Sequence, residues 1–427
     1  MENYLSVSES RLKEVHADLL KEYQKFKDMN LKLNMARGKP SPEQLDLSLE
    51  MLDILDSTSD FNSKDGVDLR NYGICDGIPE MKEFISELSG IPAENFVIGG
   101  NSSLSMMFDT ISHFMIKGAG GCEPWSAQGG IKFLCPAPGY DRHFAISEYF
   151  GMEMITIPMT KTGPDMDMVE KLVRSDEKIK GIWCVPKYSN PQGITYSDET
   201  VRRLANLKTA AKDFRIIWDN AYFIHDLSDR GDSLLNIMDE CKKAGTENLP
   251  IIFFSTSKIT FPGAGVAFMA CAGENLAALK KMYSTKTVGF DKINQLRHLR
   301  FLKDKPTILN HMKKHREILK PKFDLIVDTL ESEFSGNPII KWQTPNGGYF
   351  VSVDTYPHCA KRVVELCKNA GVILTGAGAT YPYKNDPNDS NIRLAPTYPS
   401  KDELKLAMEL FCVCVKIAVI EKRINKN

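Results

Sequence analysis

A lysine closes a short apolar run in this chain: Ile251-Ile252-Phe253-Phe254 is followed by Ser255-Thr256-Ser257-Lys258. Continuous apolar runs of this length read as buried strands, and in α/β proteins chemistry collects just beyond the carboxyl ends of strands. Two other segments share the form. Ile182-Trp183-Cys184-Val185-Pro186 leads to Asn190-Pro191-Gln192-Gly193, and Arg215-Ile216-Ile217-Trp218 ends in Asp219-Asn220-Ala221-Tyr222. An amide, a carboxylate with a phenol, and an amine thus stand at strand ends. A desolvated lysine amine loses its proton more readily and can form a Schiff base with an aldehyde. A half-buried carboxylate needs a partner, and a pyridinium nitrogen would supply one, kept protonated so that the ring draws electrons. Tyr222 and Asn190 could each donate to a ring phenolate. The set suits pyridoxal phosphate. Taken singly, the same residues have plainer readings: Lys258 as a surface lysine, Asp219 as a helix N-cap, Asn190-Pro191-Gln192-Gly193 as a turn.

A phosphate needs a cradle. Val97-Ile98-Gly99-Gly100-Asn101-Ser102-Ser103-Leu104 reads as a strand, a glycine turn and the polar opening of a helix over 104–114. Free amides and the helix dipole make such a place an anion site. Asn101, Ser102 and Ser103 are its candidates, and Ser255 and Ser257 could add hydroxyl donors. The spacing is neither that of a dinucleotide fold nor that of a P-loop. Arg393, in Asn391-Ile392-Arg393-Leu394-Ala395-Pro396, could clamp a carboxylate with its two-pronged guanidinium. A surface ion pair is its ordinary alternative.

The elements that must hold these residues follow from periodicity. Leu12, Val15, Leu19, Tyr23 and Phe26 fall on one face of a helix over 9–29, and the breaker-rich Ala36-Arg37-Gly38-Lys39-Pro40-Ser41-Pro42 follows it. From about 70 to 290, short apolar runs such as Phe96-Val97-Ile98 and Lys132-Phe133-Leu134-Cys135 alternate with helical stretches, which argues for a mostly parallel sheet under helices. A charged helical pattern over 306–334 precedes strands around Pro345-Asn346-Gly347-Gly348, and Ser400-Lys401-Asp402-Glu403 is a capping box. The expectation is an α/β fold with a large central domain over 61–300. A smaller α+β domain would be built from both ends, residues 1–60 and 301–427.

A chain of 427 residues with 42% hydrophobic and 26% charged residues suits a globular protein with a large core. A net charge of -1 gives no reason to expect nucleic acid or an anionic membrane as partner. The ten cysteines lie mostly in apolar runs, as expected of reduced thiols in a cytoplasmic protein. Cys412 and Cys414 are too close for zinc spacing, so no metal site is expected. The apolar stretch from Leu410 to Ile420, broken by Lys416, is too short to span a bilayer. No apolar leader is visible behind Met1.

Taken together and in order, these motifs resemble those of the fold-type I pyridoxal-phosphate aminotransferases, the family that includes aspartate aminotransferase. The resemblance runs from Ala36 to Arg393. It rests on Tyr72-Gly73 ahead of Gly77-Ile78-Pro79-Glu80, on Asn190-Pro191-Gln192-Gly193, on Asp219 with Tyr222, on Ser255 with Ser257 and Lys258, on Pro345 to Phe350 and on Arg393. It implies Lys258 as the cofactor-bearing lysine and proton shuttle, Asp219 at the ring nitrogen, and Tyr222 and Asn190 at the phenolate. It implies Ser102, Ser103 and Ser255 at the phosphate. It places Gly38, Asn190 and Arg393 at the substrate carboxylate and Tyr72 in the site of a homodimer partner. The sequence departs from the common pattern twice. Pro262-Gly263-Ala264-Gly265 lacks the phosphate-binding arginine, and the stacking aromatic falls to Tyr140, displaced along the chain. Both departures, with Ala36-Arg37-Gly38-Lys39-Pro40, are similar to a divergent branch that resembles the aminotransferase domain of MocR-type regulators and includes free-standing bacterial aspartate aminotransferases.

The expected function is amino transfer between an L-amino acid, aspartate or another acidic one, and a 2-oxo acid such as 2-oxoglutarate. Arg37, Lys39, Lys286 and Arg297 are the candidate readers of an acidic side chain. A lyase or decarboxylase on the same fold would carry every one of these motifs. A MocR-type regulator would need a winged-helix domain, for which the first 35 residues are too few. A nicotinamide dehydrogenase would need a glycine fingerprint that is absent.

Overall fold

The computed structural model describes residues 4–425. The chain enters through α1 (Glu9–Asp28), opened by the Ser8 hydroxyl, which accepts from the Arg11 amide. A short strand β1 (Leu33–Asn34) and helices α2 (Pro42–Asp46) and α3 (Pro79–Ser89) follow. The central segment then alternates as expected. Its strands are β2 (Phe96–Ile98), β3 (Lys132–Ala137), β4 (Glu153–Thr160), β5 (Gly163–Pro164), β6 (Ile179–Cys184), β7 (Arg215–Asp219), β8 (Pro250–Ser255) and β9 (Ala267–Ala270). Between them run α4 (Ser103–Lys117), α5 (Asp141–Tyr149), α6 (Met166–Ser175), α7 (Asp198–Ala205) and α8 (Ile237–Ala244). Helices α9 (Gly273–Lys286), α10 (Lys292–Leu302) and α11 (Lys305–Phe334) lead to β10 (Ile340–Trp342), β11 (Val351–Thr355), α12 (Ala360–Asn369), β12 (Val372–Ile373), β13 (Asn391–Leu394) and α13 (Lys401–Ile424).

The large sheet has eight strands in the order β2-β9-β8-β7-β6-β3-β4-β5. The run β8-β7-β6-β3-β4 is parallel. Strand β9 is antiparallel to both β8 and β2, and β5 is antiparallel to β4. Both faces are covered, so alternate residues of one strand enter different cores: Ile252 and Phe254 join one, Ile251 and Phe253 the other. This explains why these strands are apolar throughout rather than alternating. Because β6, β7 and β8 are parallel neighbours, their carboxyl ends open on one edge. That edge carries Asn190, Asp219 and Lys258.

The small sheet, β10-β11-β13, is antiparallel and sets Ser352 opposite Arg393. It shares a core with α1, α11, α12 and α13. Helix α1 lies along α13, so the two ends of the chain are packed together. The capping box is present, with Ser400 and Glu403 exchanging bonds. Leu410 to Ile420 is buried within this core rather than facing lipid, and no helix among the described residues is long and apolar enough to cross a membrane. Eight of the ten cysteines are buried, Cys412 and Cys414 among them. Burial pushes the Cys412 and Cys414 thiols up, against any thiolate character.

Candidate active site

A cavity of about 510 Å³ opens where the carboxyl edge of the large sheet meets the small sheet. That volume is in the range of cofactor and substrate sites. Asn190 (after β6), Asp219 (the last residue of β7), Tyr222, and Ser255, Ser257 and Lys258 (at the end of β8) all line it. Ser102 and Ser103 at the start of α4, Tyr140 before α5, Gly38 and Arg393 complete the lining foreseen from sequence. Asn101 and Tyr72 are not brought to it. The Asn101 amide turns toward the Pro262 and Gly263 carbonyls, and its own carbonyl accepts from the Ser257 hydroxyl. Tyr72 is 80% exposed on the surface of its own chain.

Burial sets the chemistry of the centre. Desolvation lowers the pKa of the Lys258 amine, opposed only in part by the Asp219 charge. Its Nζ stands 5.0 Å from the Tyr222 ring and 5.8 Å from the Tyr349 ring. Burial pushes the Tyr222 phenol well up and Tyr140 up to about 12, so both remain donors. No helix begins at Asp219; its carboxylate is buried instead. His143 Nε2 lies 3.0 Å from Asp219 Oδ2, and since a carboxylate only accepts, the ring donates. The imidazole is held flat against Trp183, ring centres 4.5 Å apart. Asp219 Oδ1 has no partner among the described residues. A buried carboxylate oxygen aimed at nothing is costly, and a protonated ring nitrogen is the kind of group that would satisfy it.

The phosphate side fits equally. The Ser102 hydroxyl caps no amide of α4, so the first turn keeps its free N–H groups. At Gly265 an added Cβ would stand 3.1 Å from Thr256 Oγ1, 3.3 Å from the Phe261 carbonyl and 3.4 Å from the Asn101 carbonyl, so a side chain there is a tight fit that needs its neighbours to give slightly. Arg142, on the first turn of α5, lines the cavity with the serines.

Arg393 is no surface residue. It is 6% exposed, and its Nη1 donates to Asn190 Oδ1 at 3.1 Å and Asp141 Oδ1 at 3.0 Å. Its guanidinium lies 4.8 Å from the Phe350 ring centre, and an added Cβ on Gly38 would stand 2.5 Å from the far edge of that ring. Of the four candidate side-chain readers, Arg37 and Lys39 line the cavity. Lys286 is paired with Asp109, and Arg297 donates to Asn294.

Several contributors, apart from Tyr349 in the 345–350 run, had no sequence reading. His143 follows Tyr140 by one helical turn, the one local signal that could have drawn it in. Asp141 and Arg142 share that turn. Beneath Lys258, the carbonyls of Lys258 and Ile259 are met by His225 Nε2 (3.4 Å), Tyr349 Oη (3.5 Å), His311 Nε2 (2.8 Å) and His315 Nε2 (3.0 Å).

The model of the aspartate amino-transferase family matches residues 7–427. The chain belongs to that family. An aspartate aminotransferase of Corynebacterium glutamicum is 44% identical to it over 411 residues, covering 96% of this chain and 95% of that one. The crystal structure of an aspartate transaminase from the same species has a TM-score of 0.96 at 42% identity, with 99% of both chains covered. The α-aminoadipate aminotransferase of Thermus thermophilus, complexed with N-(5'-phosphopyridoxyl)-L-leucine, shares the fold at a TM-score of 0.74 and 19% identity, with 94% of this chain and 95% of that one covered. This member of the aspartate aminotransferase family is an enzyme, a pyridoxal-phosphate-dependent transaminase.

Proposed function

We propose that the enzyme transfers the amino group of an acidic L-amino acid, aspartate first, to 2-oxoglutarate or a similar 2-oxo acid, using pyridoxal phosphate on Lys258. The observation that carries the cofactor assignment is the unpartnered, buried Asp219 Oδ1 in the cavity that also holds the Lys258 amine. When bound, pyridoxal phosphate supplies an electron sink for the bonds at the substrate α-carbon. Asp219 holds a proton at the ring nitrogen, and His143 keeps the carboxylate turned to that task. Tyr222 and Asn190 would donate to the phenolate oxygen, and Tyr140 would pack against the ring. Ser102, Ser103, Ser255 and Ser257, the α4 amides and Arg142 hold the phosphate. With the cofactor bound, the Lys258 amine, its pKa lowered by burial, would serve as general base and then general acid for the α-proton.

Arg393 holds the substrate α-carboxylate, with Asn190 and the Gly38 backbone beside it. Arg37 reads the distal carboxylate: it lines the cavity, is exposed, and has no charged partner among the described residues. Tyr72 projects from its own chain and reaches the cavity of a partner subunit in a homodimer. The aspartate aminotransferase of Corynebacterium glutamicum supports the choice of aspartate. The test is the visible spectrum of the purified enzyme before and after adding aspartate. A yellow band that shifts on addition, with a 2-oxo acid formed only in proportion to acceptor consumed, is the expected result. Carbon dioxide or ammonia released without an acceptor would replace this reading with a lyase or decarboxylase.

A further inference from the structure

Arg393 already holds a carboxylate. It stands on β13 of the small sheet, while Asp141 opens α5 on the large-sheet side, and both partners of the ion pair between them line the cavity. The two partners are unequal. The Arg393 side chain is 6% exposed and the Asp141 side chain 36%. Arg393 is also tied by Nε to Thr375 Oγ1 at 3.4 Å and by Nη1 to Asn190. Arg393 is held by other parts of the protein as well, whereas Asp141 is the more exposed partner.

A buried guanidinium without an anion is costly. A substrate α-carboxylate presents the same two-oxygen group as Asp141, and one that spans Nη1 and Nη2 needs the Nη1 hydrogen that Asp141 takes, since Asn190 holds the other. Asp141 also has somewhere to go: it sits in the first turn of its own nine-residue helix, where a negative charge is favoured with or without Arg393. We propose that Asp141 is an internal stand-in for the substrate carboxylate. It neutralises Arg393 while the cavity holds no substrate and leaves by exchange when an α-carboxylate docks. This inference rests on reading Arg393 as the carboxylate clamp.

Two consequences follow from the exchange. The guanidinium is never left bare, so the site stays charge-balanced in both states. And a ligand must bring its own carboxylate to dislodge Asp141, so amines lacking one are disfavoured beyond the loss of a single contact. The cost is competition: substrate affinity is reduced by the fraction of molecules in which Asp141 is seated.

The test is calorimetric titration of the holoenzyme with succinate, a dicarboxylate with no amino group to transfer. Asp141→Asn keeps the shape and removes the competing charge, and is expected to bind succinate about three- to tenfold more tightly than the wild type. Asp141→Glu restores a carboxylate that can reach Arg393, and is expected to return the affinity to the wild-type value. A purely structural Asp141 would not give this pattern, since a structural role would weaken binding in Asn. Equal or weaker binding in Asp141→Asn overturns the proposal. Arg393→Gln is expected to abolish succinate binding. Wild-type binding in that variant would instead remove Arg393 from carboxylate recognition, and the stand-in with it.

Discussion

The Lys258 amine has exchanged water for the faces of two tyrosines, while side chains from elsewhere in the chain meet its backbone carbonyl. Burial lowers its pKa and Asp219 raises it, and burial prevails. A larger neutral fraction near pH 7 is what both a nucleophile and a general base require. Backbone control comes from beneath, where His225, His311, His315 and Tyr349 meet two successive carbonyls. The amine therefore moves on its flexible stem from a held root, suited to visiting two positions on a bound substrate. Replacing Lys258 with Ala removes the shuttle without touching Asp219, Tyr222 or the serines. The variant is expected to retain pyridoxal phosphate noncovalently, to lose covalent fixation by borohydride, and to turn over about 10⁴-fold more slowly. A wild-type rate in a steady-state assay would exclude Lys258 from the proton transfer.

At the scale of elements, the loop between β1 and α2 is stitched to the small sheet's side of the site. Thr375 donates to the Ala36 carbonyl at 2.7 Å and Thr397 to the Lys39 carbonyl at 2.8 Å. Gly38 lies between them against the Phe350 ring, on which Arg393 rests. In Gly38→Ala the new methyl would have to displace that ring, and with it the guanidinium. KM for both amino acid and oxo acid is expected to rise about tenfold, with the melting temperature within a few degrees of wild type, since the strain of one added methyl is about 1–3 kcal/mol. An unchanged KM would show that the loop absorbs the methyl without reaching Arg393. The loop was visible in the sequence as a cluster of breakers, and so were β6, β7 and β8, because burial on both faces leaves a strand uniformly apolar. What local sequence cannot express is partnership across the chain. Nothing near Gln44 announces that its amide meets His315 and Tyr349. Nothing near Asp219 announces His143, 76 residues before it. Asn101 fell in the right turn, yet it serves the Pro262-Gly263 loop, a choice made by the path of another segment.

At the scale of the whole molecule, imidazoles are buried where the parts meet. His298 bonds Thr256 and Thr260 beside the lysine loop, and on α11 His315 joins the Ile259 carbonyl to α2 through Gln44 while His311 meets the same carbonyl. Burial lowers His298 to about 4 and His315 to about 3, and lowers His311 and His225 as well. Their unfolded value is about 6.5. Above that pH both states are neutral and the histidines place no pH dependence on stability. Below it the unfolded chain takes up protons that the folded one refuses, so stability falls as the pH drops from about 6.5 toward the folded values. Each such histidine removes about 1.4 kcal/mol per pH unit within that window. The exposed Asp68, held down to about 2 by Arg70, gives up its contribution only from the usual carboxylate value downward, below the histidine window. Urea unfolding of the holoenzyme at one protein concentration is expected to show a midpoint steady from pH 8 to 7 and falling steeply from pH 6.5 to 5. His298→Gln, which keeps a hydrogen-bonding side chain but cannot take up a proton, should flatten part of that fall. A midpoint as high at pH 5 as at pH 7 would mean that these imidazoles are protonated within the folded protein, and that the polar seam under Lys258 carries charge.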